Sequence, residues 1–214
     1  MNENKIIKHI RAERIDIVEP DGTLRMGLFN SENVPPAMMD GVDFLPGHRS
    51  GMGMSGILFY NTEGDECGGL IFGSEKGEDG TYKSNLSMTF DQYKQDQTVQ
   101  IMMSEENGER QYGFRVFDRP DNNLRDFVEL QKALSVAKDS EEKERLQAEL
   151  TALSAGHEMR MHAGKLNDGS VGVNLYGKDG KPRIKVYVDA DDNPCFEFLD
   201  ADGNVIKKID SNSI

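Results

Sequence analysis

The chain has 214 residues, 36% of them hydrophobic, and a net charge of -13 from 25 basic and 38 acidic side chains. That length suits one ordinary domain or two small ones, and buries roughly 70% of the surface of the unfolded chain without staples. The acidity argues against nucleic acid or an anionic membrane as a partner, because it repels phosphate and no basic block segregates the charge.

No run of about eighteen apolar residues marks a membrane span. The opening Met1-Asn2-Glu3-Asn4-Lys5 carries no apolar leader segment. Cys67 and Cys195 are too few for a disulfide framework or a cysteine zinc site. Together these features lead us to expect a cytoplasmic protein.

Turn dipeptides punctuate the chain: Asp21-Gly22, Asp40-Gly41, Asp79-Gly80, Asn107-Gly108, Asp168-Gly169, Asp179-Gly180 and Asp202-Gly203. They tolerate the positive φ that tight hairpins require. Short apolar or alternating runs flank them at residues 15–18, 24–29, 57–60, 70–72, 86–90, 99–103 and 112–117. Runs of this kind read as strands. The runs at 57–60 and 112–117 are apolar on both faces, so both faces need cover, from this chain or from another subunit.

Residues 31–55 have little periodicity and hold Met38-Met39, Gly47-His48-Arg49 and Gly51-Met52-Gly53-Met54. They read as a long loop, a place where function concentrates. From residue 121 to about 155 the pattern turns helical, with Leu124, Phe127, Val128, Leu130 and Leu134 on one stripe and Leu146, Leu150 and Leu153 on a second. Asp139 and Glu142 form a capping box that favours a helical hairpin over one long helix, and Gly156 is a stop. Four further strands follow at 171–176, 183–188, 195–199 and 204–209.

The expected fold is therefore mainly β: antiparallel sheets of meander, sandwich or barrel type, about ten to twelve short strands, and one helical insertion at 121–155. The expected parts are a β-rich stretch at 1–120, the helical segment, and a hairpin region at 156–214 packed with the first as one unit.

Two polar clusters are candidate sites. In Asn61-Thr62-Glu63-Gly64-Asp65-Glu66-Cys67-Gly68-Gly69, Glu63, Asp65 or Glu66 could act as acid or base, with Cys67 as nucleophile and His48 reaching it through the fold. The plainer reading of the same residues is a wide hairpin loop with solvated carboxylates. In the segment 89–97, Asp91, Gln92, Tyr93, Gln95, Asp96 and Gln97 combine amides, carboxylates and a ring, which suits sugar or peptide recognition. A polar connection between strands is its plain alternative.

Residues 13–22, 61–70, 89–97 and Asp118-Arg119-Pro120 resemble a set found in bacterial proteins without an assigned function. The resemblance covers roughly residues 10–134 and implies no residue role.

Asp189, Asp191 and Asn193 begin like an EF-hand loop, but Pro194 stands where that loop needs glycine. An improvised calcium site on Asp189, Asp191, Asp200 and Asp202 remains open, as does the simpler reading of acidic turns facing water. No other cofactor is expected. Three functions follow: a self-associating, non-catalytic binding or assembly module, which is favoured; a hydrolase using Glu63, Asp65 and Glu66; or a calcium-stabilised β protein. A homo-oligomer is expected, because a strand-rich chain must cover its edges and its apolar faces.

Overall fold

The computed structural model describes residues 7–211 and 213. The chain begins with β1 (Arg14–Val18) and β2 (Leu24–Phe29), then a short hairpin of β3 (Met38–Met39) and β4 (Val42–Asp43). Next come β5 (Ser55–Tyr60), β6 (Glu66–Lys76), β7 (Tyr82–Asp91), β8 (Gln97–Glu106) and β9 (Glu109–Asp118). Two helices follow, α1 (Leu124–Val136) and α2 (Ser140–Ser154). The chain returns to strands with β10 (Glu158–Lys165), β11 (Val171–Tyr176), β12 (Pro182–Val188), β13 (Pro194–Leu199) and β14 (Val205–Asp210).

Apart from β3 and β4, all strands form one twelve-stranded sheet in which each pairs antiparallel with its sequence neighbours. The expectation of a mainly β antiparallel fold holds. Of the architectures it allowed, the meander is the one present: β1 and β14 are open ends, so the sheet does not close into a barrel. The helices are an insertion between adjacent strands, because β9 pairs directly with β10.

The turns explain both the regular spacing and much of the acidity. At 19–23, 61–65, 77–81, 166–170, 177–181, 189–193 and 200–204, the first N–H donates to the fifth carbonyl and the fourth N–H to the first carbonyl. The fourth residue has positive φ, as at Gly64 (82°) and Gly203 (89°). An Asp or Asn oxygen completes each turn. Asp21, Asp79, Asp168 and Asp179 accept from the N–H two residues on, while Asn61, Asp189 and Asp200 accept from two N–H groups each. The polar side chain takes over donors that the bulged ladder leaves free.

The helical region is a hairpin. Asp139 accepts from the N–H groups of Glu141 and Glu142 and starts α2, and Gly156 at φ 93° follows its end. Helix α1 starts at Leu124, three residues later than a start at Asp121, because Asn123 rather than Asp121 caps it.

The segment expected as an unstructured loop is organised by the β3–β4 hairpin and packs against α1. Ala37, Met39, Phe44 and Val128 form one buried cluster, with Leu124 and Phe127 against it. Phe29, Leu58 and Tyr60 form a second cluster under the same segment. The second cluster is built on β2, β5 and β6, while the first joins the segment to α1. The described residues of β10–β14 belong to neither.

Candidate functional site

The two polar clusters singled out in the sequence meet, and most of their side chains join segments together. Asp65 is fully buried; its carboxylate accepts from the Asp40 N–H at 2.7 Å and from Asn61 Nδ2 at 3.3 Å. Lys94 Nζ pairs with both Asp40 and Glu63, and the Tyr93 hydroxyl donates to Glu63. Asn123, the cap of α1, donates to Asp40. Gln92 and Gln95 donate to the carbonyls of Pro120 and Asn122. The result is a clasp that fixes the β3–β4 turn and the start of α1 to the turns at one end of the sheet. Lys94 and Asp40 adopt positive φ within it, both at 52°.

Several of the other candidates face a cleft of about 540 Å³ between the 30–54 segment, α1 and the β6–β8 surface. Glu66, Asp91, Asp96, Gln97 and His48 line its polar side, and Met39, Phe44, Ile71 and Phe127 its apolar side. Glu63, Asp65 and Glu66 therefore do not converge: only Glu66 reaches the cleft.

Glu66 is paired with Arg49 at 2.6 Å, both side chains being less than one-fifth exposed. Arg49 also donates to the Pro35 carbonyl. Burial raises the Glu66 carboxyl, and the Arg49 charge opposes the rise. Asp91 lies opposite Gln97 in the β7–β8 register. One of its oxygens, Oδ1, is buried without a hydrogen-bond partner. Burial, with the Glu66 and Asp96 carboxylates nearby, pushes Asp91 up to about 7. Asp96 in turn faces Arg119 at 3.6 Å.

Cys67 is half-buried and does not line the cleft. Burial and the Asp91 and Glu66 charges raise its thiol, which disfavours the thiolate a nucleophile requires.

The Asp-rich turns do not come together. Successive turns of a meander lie at opposite ends of the strand between them, so Asp189 and Asp191 are separated from Asp200 and Asp202 by the length of β13. Asp189 and Asp200 each hold their own loop through its backbone N–H groups. Among the described residues no group of three His, Cys, Asp or Glu side chains is placed to hold a metal.

The most extensive surface feature was not assembled from the sequence. Along one face the register aligns Ile15, Leu28, Ile57, Leu70, Met88 and Ile101, and continues through Phe114, Ala163, Val173, Val186, Phe196 and Ile209. Every strand of the sheet contributes one apolar side chain to this row. Parallel rows flank it, one holding Phe90, Val99 and Leu175, the other Phe72, Leu86 and Val188. Side chains alternate across a strand, so Leu58, Ile71, Thr89 and Gln100, which line the cleft, point to the opposite face. The helices and the 30–54 segment therefore leave the apolar face open. Phe72, Phe90, Ile101 and Val171 are 50–52% exposed there. Farther along, the opposite face is polar: Arg115, His162, Asn174, Lys185 and Glu197 occupy successive strands.

Neither a protein-family model nor a curated protein sequence matches the chain. Among the described residues no helix is long and apolar enough to cross a membrane.

Signals for Glu66, Asp91, Asp96 and Gln97 were present in the sequence as dense local clusters. Arg49 and Arg119 were missed as partners, because each is linked to its carboxylate only through the fold. The apolar rows were visible strand by strand as alternation, but their alignment depends on register.

Proposed function

We propose that this protein is a non-catalytic assembly module that self-associates by laying the open apolar face of its sheet against a second copy. The observation that carries the reading is the uninterrupted apolar row across all twelve strands, on the face that the helices do not cover. Soluble monomers rarely expose apolar patches beyond a few hundred Å². Twelve strands about 4.8 Å apart and three residue rows deep present roughly 900 Å², close to what each partner contributes to a stable interface.

The occupant that best fits is another copy of the same chain. A twisted sheet complements a second sheet of the same twist, the arrangement of a β-sandwich with the sheets about 10 Å apart. Charge supports the choice as well. The protein is strongly acidic, but this face carries almost no carboxylates, so two copies can approach without juxtaposing like charges.

Native mass spectrometry and sedimentation of the full chain test the reading. The expected result is a closed oligomer at micromolar concentration, whose mass is unchanged by a calcium chelator. A monodisperse monomer would overturn it.

A further inference from the structure

The polar face of β10–β12 carries a socket of about 120 Å³, on the side of the sheet that the assembly leaves open. Gly164 and Gly172 pair across β10 and β11 and form its floor. A Cβ would stand 2.1 Å from a neighbouring backbone oxygen at Gly164 and 2.2 Å at Gly172, so the sheet itself keeps side chains out of the floor. Asn174 borders the socket and is only 8% exposed. Its amide has no hydrogen-bond partner among the described residues, yet its nitrogen and oxygen are not sealed off. Neither neighbour in the register engages it. His162 accepts from Arg115 through Nδ1, and Lys185 makes no ion pair or hydrogen bond among the described residues. Glu197, opposite Lys185 across β12 and β13, is taken by the Tyr187 hydroxyl at 3.0 Å and by Lys208 at 3.8 Å. The opposite charge comes from the turn at 166–170. Asp168 spends Oδ1 on the Ser170 hydroxyl and N–H, which leaves Oδ2 for another donor. Those bonds hold its carboxyl below the usual range, and the Lys185 charge acts in the same direction without contact.

The socket therefore presents an ammonium and a carboxylate that do not touch each other, with an amide beside them that both donates and accepts. A bare anion would meet Asp168, and a bare cation would meet Lys185. A ligand carrying both charges satisfies both groups. We propose that this socket binds a small zwitterionic α-amino acid, its carboxylate on Lys185 and the Asn174 nitrogen and its ammonium on Asp168. The volume equals that of about four waters, which suits alanine or serine, with Leu166 as an apolar edge for the side chain. The ligand gives the Asn174 amide the hydrogen bonds that the chain leaves unmade, and a buried amide without them is costly. Bonds to charged groups are stronger than neutral ones, so the two ionic ends carry most of the affinity.

The full-length protein, in whatever oligomeric state it adopts, is titrated with L-alanine and followed by amide NMR shifts. Propionate, ethylammonium chloride and glycerol serve as controls, because each has a similar size but lacks one or both of the charges. We expect saturable alanine binding, with shifts centred on Ser170, Asn174 and Lys185, and each control weaker by about tenfold, the value of one charge-assisted bond. Asn174→Ala weakens alanine binding by about tenfold. Lys185→Gln does the same and also brings alanine level with ethylammonium, a change in selectivity that a merely structural lysine would not produce. Should Asn174→Ala fail to fold, Lys185→Gln is read alone. The proposal is overturned by absence of saturation, by affinity for propionate, ethylammonium or glycerol equal to that for alanine, by shifts confined to the cleft or the apolar sheet face, or by full affinity in either folded variant. These results do not depend on oligomeric state, so the assembly reading can fail while this one stands.

Discussion

Asp65 and Asp91 are the same residue type with opposite surroundings. Asp65 is fully buried, with both oxygens used: one takes the Asp40 N–H and the other the Asn61 amide. Truncation to alanine leaves those donors without an acceptor, which costs about 1–3 kcal/mol of stability. A lower urea midpoint for Asp65→Ala at pH 7, with unchanged slope, is the expected outcome. Asp91 has a buried oxygen with no partner, and its carboxyl is raised to about 7 from 3.8. Between those two values the folded state holds a proton that the unfolded state has released. Stability linked to Asp91 is therefore complete below the unfolded value and is lost as pH rises through 7. Asp91→Asn should stabilise the protein at pH 8 by roughly 2–4 kcal/mol and leave it nearly unchanged at pH 4. Urea midpoints at the two pH values check this, and a destabilised variant at pH 8 would contradict it.

At the scale of elements, the hairpin turn is the repeated unit. In each case an Asp or Asn accepts backbone N–H groups, and a residue at positive φ closes the loop. Gly203, at φ 89°, has open space where a Cβ would stand, so Gly203→Ala tests backbone strain alone. A loss of about 1 kcal/mol is expected, read as a lower denaturation midpoint. The hydrogen bonds from the Thr23 and Asn204 N–H groups hold the Asp21 and Asp200 carboxyls below the usual range. The sign here is opposite to that of Asp91: this support is present above the ordinary carboxylate value and disappears as pH falls through the depressed one. The helical hairpin depends on another local device, the Asp139 side chain over the N–H groups of Glu141 and Glu142. Asp139→Ala should cost about 1 kcal/mol and lower helical ellipticity.

For the whole molecule, the decisive property is a sheet covered by helices on part of one face and open on the other. A domain ordinarily closes its core with a second layer. In this chain α1 and the 30–54 segment supply one over part of the sheet, from β2 and β5 to the β6–β8 wall of the cleft. The apolar rows need cover of their own, and a charge placed in them should prevent it. Phe72→Lys combined with Val173→Lys puts ammonium groups in two of the rows at positions 51% and 38% exposed in the single chain. The expected outcome is a monomer by light scattering, with the strand signal in circular dichroism retained. An oligomer of unchanged mass would place the interface elsewhere.

Much of this architecture was legible locally. Asp-Gly pairs, period-two alternation and the Asp139 cap act over a few residues, so the strands, turns and helical hairpin could be read in chain order. Strand β10 was not among the expected strands; its sequence, Glu-Met-Arg-Met-His-Ala-Gly-Lys, mixes charge and apolar residues and has no turn dipeptide at its start. The β3–β4 hairpin is two residues per strand and is held by Asp65 from another turn. Other features are properties of register and packing. Glu66 meets Arg49, seventeen residues earlier, and Asp40 meets Asn123, eighty-three residues later, only because the sheet and α1 bring them together. The sequence by itself determined which residues alternate and where the chain turns, since those depend on side-chain chemistry and backbone φ at each position. Only the tertiary structure decided which face stays open, which carboxylate is stranded without a donor, and where a cleft forms, because each depends on surfaces built from segments far apart in the chain.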